Sequence, residues 1–339
     1  MTVKERIFRL LLAKRELTRQ EIAASLSLSM PTTLQSVAEL TEGSILEECG
    51  AVGSASGRKA KKLRLRPMAG CTVGVNIALQ RVEFVLADLL GQVRHSQSVP
   101  LRFCDELDWY WRLRNALTDF LQGTENILGA GLSFPGIINT QANQIVRSHI
   151  FGLSHVGLER FQKSVPFPLT VANDANCACF AEREPGRDSF VYLSLNESVG
   201  GAVMMNGRIL LGDTFQAGEI GHMVLIPNGR TCYCGKLGCA DAYLSPQALE
   251  QDGWDTYIDH LAVLLTNLRM ALNMNLVVGG EIGARIGPHW ESLCAKMAVY
   301  DRFARDIDYV LPCTQKEYAC AAGAAALALE EFGSRILDG

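Results

Sequence analysis

No stretch of 18 or more strongly apolar residues occurs in the 339-residue chain, so a membrane-spanning helix is not expected. The opening Met1-Thr2-Val3-Lys4-Glu5-Arg6 runs into an amphipathic rather than a uniformly apolar segment. That argues against a secretory signal and makes the cytoplasm the expected compartment. Proline is scarce, at 11 residues, and charged residues make up only 20% against 48% hydrophobic. These values exclude a collagenous, coiled-coil or disordered chain and suit a globular one. At roughly 150 residues per domain the length predicts two or three domains.

Cysteine is plentiful. Eleven is an odd number in a long chain without an export signal, which argues against a disulfide scaffold. Eight are scattered and read as buried thiols, whereas Cys232, Cys234 and Cys239 fall within eight residues. Charge is also uneven. Residues 1–66 carry 12 Lys and Arg against 7 Asp and Glu, and the remaining 273 carry 20 against 29. A basic head on an acidic body implies that the head alone meets a polyanion.

Within the head, Val3, Ile7, Leu10 and Leu11 share one helical face. Thr18-Arg19-Gln20-Glu21 is a capping box that starts a second helix, with Ile22, Ala23 and Leu26 facing inward. A third helix starts with Ser29 as N-cap and Pro31 in its first turn, and Gly43 stops it. Its expected buried stripe is Leu34, Val37 and Leu40, leaving Thr32, Thr33, Gln35 and Ser36 outward to reach base edges. Two strand-like stretches, Ile45–Glu48 and Leu63–Arg66, flank a loop bearing Arg58, Lys59, Lys61 and Lys62, cations suited to phosphates or a minor groove. The plan is that of a winged helix-turn-helix. The alternative is a small three-helix subdomain with a solvated charge run.

From about residue 70, short apolar strands alternate with helices, as in an α/β domain. Cys71–Ile77, Val82–Ala87, Ile127–Phe134, Leu169–Ala172, Phe190–Leu195, Gly200–Met205 and Leu276–Val278 read as strands. Trp109–Leu121, Asn173–Glu184, Tyr257–Leu272 and Ala319–Glu330 read as helices. His222, followed ten residues later by Cys232-Tyr233-Cys234-Gly235-Lys236-Leu237-Gly238-Cys239, supplies three thiolates and an imidazole, a tetrahedral zinc set. Such a closed set leaves no open position, so the metal would be structural. A redox-active or fortuitous cysteine cluster is the alternative. Two carboxylates, Glu219 and Asp241, flank this segment, and Asp174 stands at a strand's carboxyl end, where α/β sites are usually found. By itself Asp174 reads as a helix N-cap before it reads as a site residue.

These features together resemble the ROK family (repressors, open reading frames and kinases). The resemblance rests on the winged helix, Glu219-Ile220-Gly221-His222, the gap to the cysteines, Asn173-Asp174 and Val277-Val278-Gly279-Gly280, and runs along essentially the whole chain. It implies an actin-like (ribonuclease H-like), two-lobed sugar-kinase fold behind the DNA-binding head. The expected units are a winged helix-turn-helix at residues 1–68, a first lobe at 69–185 rejoined by a helix at 317–332, and a second lobe with the zinc loop at 186–316. By the same resemblance Asn173, Asp174, Glu219, His222 and Asp241 would bind sugar, with Asp174 the base of kinase members and Asp241 one methylene shorter than the family's glutamate.

The phosphate loops of ROK kinases are damaged. Asn76-Ile77-Ala78-Leu79-Gln80 replaces Asp-x-Gly-Gly-Thr, and Asn196-Glu197-Ser198-Val199-Gly200-Gly201 puts a carboxylate beside the second loop. Glycines matter there because backbone N–H groups must approach phosphate oxygens. One lost oxyanion donor costs about 2.7–4 kcal/mol in the transition state, and phosphoryl transfer rests almost wholly on such contacts. The expectation is a non-enzymatic, sugar-responsive transcription regulator, a repressor rather than an activator. It would bind double-stranded operator DNA and a sugar or sugar phosphate as a homodimer or homotetramer. The rivals are an ATP-dependent sugar kinase that also binds DNA and a ligand-independent DNA-binding protein.

Overall fold

The structure, a computed structural model, describes residues 1–52, 60–184, 186–304 and 306–337. The chain opens with α1 (Val3–Lys14), β1 (Leu17–Thr18), α2 (Arg19–Leu26) and α3 (Met30–Glu42), followed by β2 (Leu46–Val52) and β3 (Ala60–Leu65). The capping box forms as read: the Thr18 hydroxyl accepts from the Glu21 N–H, and the Glu21 carboxylate accepts from the Thr18 N–H at 2.7 Å. Strands β1, β3 and β2 pair antiparallel in that order beneath the helices, giving the winged helix-turn-helix.

Next come β4 (Cys71–Ile77), β5 (Val82–Asp88), β6 (Val93–Val99), α4 (Leu107–Phe120) and β7 (Ile127–Phe134). A small antiparallel sheet of β8 (Ile137–Asn139), β9 (Gln144–Ser148) and β10 (Leu153–Gly157) precedes α5 (Glu159–Ser164), β11 (Leu169–Asn173) and α6 (Asp174–Ala181). The second lobe holds β12 (Phe190–Leu195), β13 (Val199–Met205), β14 (Arg208–Ile209), α7 (Asp241–Leu244) and α8 (Pro246–Leu272), the last broken at Gly253. It continues through β15 (Asn275–Gly279), α9 (Gly280–Gly283), α10 (Trp290–Tyr300) and β16 (Val310–Pro312), and α11 (Ala319–Phe332) follows.

The two large sheets repeat one plan. Their orders are β11-β7-β4-β5-β6 and β16-β15-β12-β13-β14, and in each the fourth strand runs antiparallel to the third. This is the actin-like arrangement. Each sheet faces its own apolar core, one around Phe84, Trp109 and Phe161, the other around Tyr257, Leu261 and Leu265.

Helix α11 ties the parts together. It lies so close on β4 and β7 that a Cβ on Gly74 or Gly131 would fall 1.8 or 1.9 Å from an α11 carbonyl oxygen. Its carboxyl end enters the core of the head, where Leu329, Leu89 and the segment through Ile336 and Leu337 join Phe8, Leu11 and Leu65. Arg15 adds a bond from its guanidinium to the Leu90 carbonyl at 2.5 Å. The head is therefore built onto the first lobe through a shared core rather than tethered by a free linker.

Candidate functional site

Strand β11 delivers Asn173 and Asp174 to the cleft between the lobes. The cap of α6 is Asn173, not Asp174: its side-chain oxygen accepts from the N–H groups of Ala175 and Asn176 at 2.9 and 3.2 Å. Its amide also donates to the Gly136 carbonyl at 2.9 Å, leaving one N–H for a ligand. The cap reading of Asp174 is thereby corrected. The preceding residue has taken that role, and the Asp174 carboxylate lines the cleft. Burial pushes this carboxyl above its ordinary 3.8. A raised folded-state pKa means that ionisation costs stability once the pH rises above the unfolded value. Asp174→Asn should therefore raise the unfolding temperature at neutral pH and lose that advantage below about pH 3.8. Calorimetric scans across pH check both effects.

A cavity of about 310 Å³ is lined by Asn173, Asp174, Glu219, His222, His149 and Tyr233, among others. Burial, then the charge of Asp174, raise the Glu219 carboxyl, whose Oε2 lies 3.9 Å from His222 Nε2. His222 turns its other nitrogen, Nδ1, toward Cys232 Sγ at 3.8 Å. Burial keeps the His222 pKa low and the ring neutral, as a metal ligand must be. The rings of His149, His222 and Tyr233 form a mutually edge-on cluster 5.4–6.1 Å apart. Sequence reasoning missed His149 and Tyr233: Tyr233 was in view inside the cysteine cluster, but nothing local marks His149.

Asp241 does not join this cavity. It is 5% exposed, and its Oδ1 accepts the Val199 N–H at 2.6 Å, anchoring the start of β13. Its expected sugar contact is thus corrected: the shorter side chain turns its carboxyl oxygen to the backbone at the start of β13. Asp241→Ala, which removes the acceptor, should weaken ligand binding only indirectly, by loosening Val199, with the Val199 amide losing hydrogen-exchange protection.

His222, Cys232, Cys234 and Cys239 bring one ligand atom each within 4.8 Å of all the others. For thiolates at about 2.3 Å from a tetrahedral ion, the sulfur–sulfur edge is about 3.8 Å, and Cys234 Sγ lies 3.8 Å from Cys239 Sγ. The loop reaches this shape because Gly238 takes a left-handed φ of 80°, where a Cβ would fall 1.9 Å from the Ile226 carbonyl oxygen. Burial holds the Cys232 thiol in its protonated form, so the three converging sulfurs could all ionise only beside a cation. The residues present could hold a metal ion.

Beyond Asp174 the cleft widens into a chamber of about 900 Å³. Five carboxylates (Glu83, Asp174, Glu197, Glu281 and Glu317) face it against two cations, Arg81 and Lys316. Arg81 is committed, donating to Glu83 at 2.7 Å and, across the lobes, to Glu281 at 2.9 Å. Asn76 is buried and bonded to Glu83 and Ser133. The Glu281 N–H at the start of α9 is already taken by Asn196 Oδ1 at 2.7 Å.

In the head, α3 buries Thr33, Ser36, Val37 and Leu40, while Leu34 is 48% exposed. The expected stripe is corrected by the true 3.6-residue period, and Thr33 and Ser36 leave the outward face. Thr33 satisfies its hydroxyl on the Ser29 carbonyl at 3.0 Å. Thr32 and Gln35 remain outward, Gln35 donating to Glu39 at 3.2 Å. Lys61 pairs with Glu48, and Lys62 with Glu16. Arg58 and Lys59 lie outside the described residues.

Among the described residues no helix is long and apolar enough to cross a membrane. The chain is similar to the xylose repressor of Bacillus subtilis (strain 168), with 26% identity over 243 residues, 69% of this chain and 63% of that one. It is also similar to the DNA-binding transcriptional dual regulator NagC of Escherichia coli (strain K12), with 23% identity over 258 residues, 72% of this chain and 63% of that one. The chain thus spans about 63% of the length of these curated relatives. Among solved structures, a ROK family transcriptional regulator described as a homolog of the E. coli MLC protein superposes with a TM-score of 0.78 at 18% identity, covering 99% of this chain and 98% of that one. A ROK hexokinase from Thermus thermophilus gives 0.65 at 22% identity, covering 79% and 100%. The model of the ROK family matches residues 72–256, more than half of the sequence, and the chain belongs to the ROK family.

Proposed function

We propose that the protein is a sugar-responsive transcription repressor without kinase activity. It would bind double-stranded operator DNA through α3 and the β2–β3 wing, and a sugar in the 310 Å³ cavity against Asn173, Asp174, Glu219 and His222. The ion held by His222, Cys232, Cys234 and Cys239 is zinc, structural in role because four protein ligands close its shell. It would fix the His222 ring so that Nε2 faces the sugar. Asp174 is a vestigial base. The carrying observation is that α11 begins at the chamber wall with Ala319 and Cys320 and, near its other end, sets Leu329 in the core of the head. Cleft occupancy and head orientation thus share one helix about 21 Å long.

Sugar would release DNA by preferring the conformation that binds DNA poorly. Operator affinity, measured by fluorescence anisotropy on a sequence selected from random DNA, should fall by about 5–150-fold when sugar is added. A homodimer or homotetramer would place its heads about 34–36 Å apart, or a multiple of that. Gln35→Ala should relax operator preference at one position by about 1–3 kcal/mol, and Thr33→Val should not. Lys61→Ala should weaken binding to every sequence and reduce the salt slope by about one.

The placement of Asp174 in the cleft favours one other reading, an active sugar kinase that also binds DNA. A coupled assay with ATP, magnesium and a sugar panel separates them. Turnover that disappears in Asp174→Ala would overturn the non-enzymatic reading.

A further inference from the structure

The two cavities adjoin, sharing Pro135, His149, Ile150, Asp174, Ser198 and Tyr233 in their linings, so the larger chamber begins where the sugar-sized end stops. Ligand pockets span about 300–1,000 Å³. The small end, at about 310 Å³, matches one compact ligand, and the chamber, at about 900 Å³, adds room for a larger one in line with it.

The chamber's chemistry selects among occupants. A nucleotide triphosphate would meet more carboxylates than cations, an arginine already spent on Glu83 and Glu281, and an α9 N–H already capped by Asn196. A neutral ligand rich in hydroxyls meets groups that suit it. Glu197 and Glu317 have no ion-pair partner among the described residues and are strong acceptors for hydroxyl donors. Gln80 offers an amide, and the edge-on pair His149–Tyr233 (5.6 Å) lines both cavities as a wall for a ring face.

We propose that the effector is a neutral oligosaccharide of two or more units, its terminal sugar against Asp174, Glu219 and His222 and its following units in the 900 Å³ chamber. This rests on the sugar-responsive reading above and specifies its ligand class. The lost phosphate site would then be the second half of a longer saccharide trough.

Isothermal titration of the full chain with glucose, xylose and N-acetylglucosamine, each beside disaccharides built from it in α and β linkage, tests the idea. At least one disaccharide should bind about tenfold or more tightly than its own monosaccharide. Gln247→Trp, which fills the chamber from an exposed position, should abolish that gain and leave monosaccharide affinity unchanged; Glu317→Gln should reduce the gain by several-fold. Disaccharides that bind no better than their monosaccharides, or variants that weaken both equally, would overturn the oligosaccharide assignment while leaving a sugar-responsive regulator intact. Absence of binding by any saccharide would sink both. Tight binding of a non-hydrolysable ATP analogue that Gln247→Trp abolishes would assign the chamber to nucleotide instead.

Discussion

Cys234→Ser is expected to empty the proposed zinc centre: zinc content by elemental mass spectrometry should fall from one ion per chain toward none. A serine hydroxyl stays protonated where a thiolate would bind, and the remaining ligands, His222, Cys232 and Cys239, cannot close a tetrahedral shell. The consequence should reach the sugar. The loop is pinned back onto its stem by the Leu225 N–H to the Gly238 carbonyl at 2.7 Å and by the Val224–Cys239 bridge. The imidazole whose Nδ1 faces the cysteines turns Nε2 toward Glu219. Loss of the ion frees that ring, and losses of outer support around metal sites typically cost 10–100-fold. Sugar affinity should fall by about that factor, and a chelator on the wild-type chain should reproduce it. Undiminished sugar affinity in metal-free protein would break the link between the loop and the cleft.

Gly323→Ala should destabilise the protein by about 3 kcal/mol or more. In a solvated helix this change would gain about 1 kcal/mol from propensity. Here the added Cβ would fall 1.7 Å from the Cys177 carbonyl oxygen, a backbone atom of α6 that cannot rotate away. On its other side α11 is pressed against β4 and β7, so it cannot retreat. The overpacking wins. Because the same helix carries Leu329 into the head, operator binding should weaken along with the unfolding temperature. Gly287→Ala, with nothing within 4 Å of its Cβ, is the control and should change stability by under about 0.5 kcal/mol.

Where local chemistry sets a local outcome, the sequence is legible. The Thr18–Glu21 capping box and strands such as Cys71–Ile77, Ile127–Phe134 and Phe190–Leu195 stand where their residues put them. Errors arise where polarity is answered out of sight. Thr33 and Ser36 look outward-facing on paper, yet Thr33 discharges its hydroxyl on the preceding turn and can be buried. Strand β6 hides because Val93-Arg-His-Ser-Gln-Ser-Val99 is an edge strand with most side chains in water and no apolar alternation. Asn173 and Asp174 compete for one cap, and the winner is the residue whose amide also reaches Gly136, 37 positions away.

Sequence alone determined the capped helices, the apolar strands, the family and the four side chains that could hold a metal, because caps, periodicity and ligand spacing act over a few residues. Tertiary structure decided which carboxylates face the cleft. Asp241 is turned to Val199, 42 residues distant, and Arg81 to Glu281, 200 residues distant. It also set two cavities side by side, sharing Asp174 and Tyr233, and ran α11 from the wall of the larger one to the head. Burial and hydrogen-bond satisfaction are properties of what comes together in space, and a buried charge takes the partner the fold supplies.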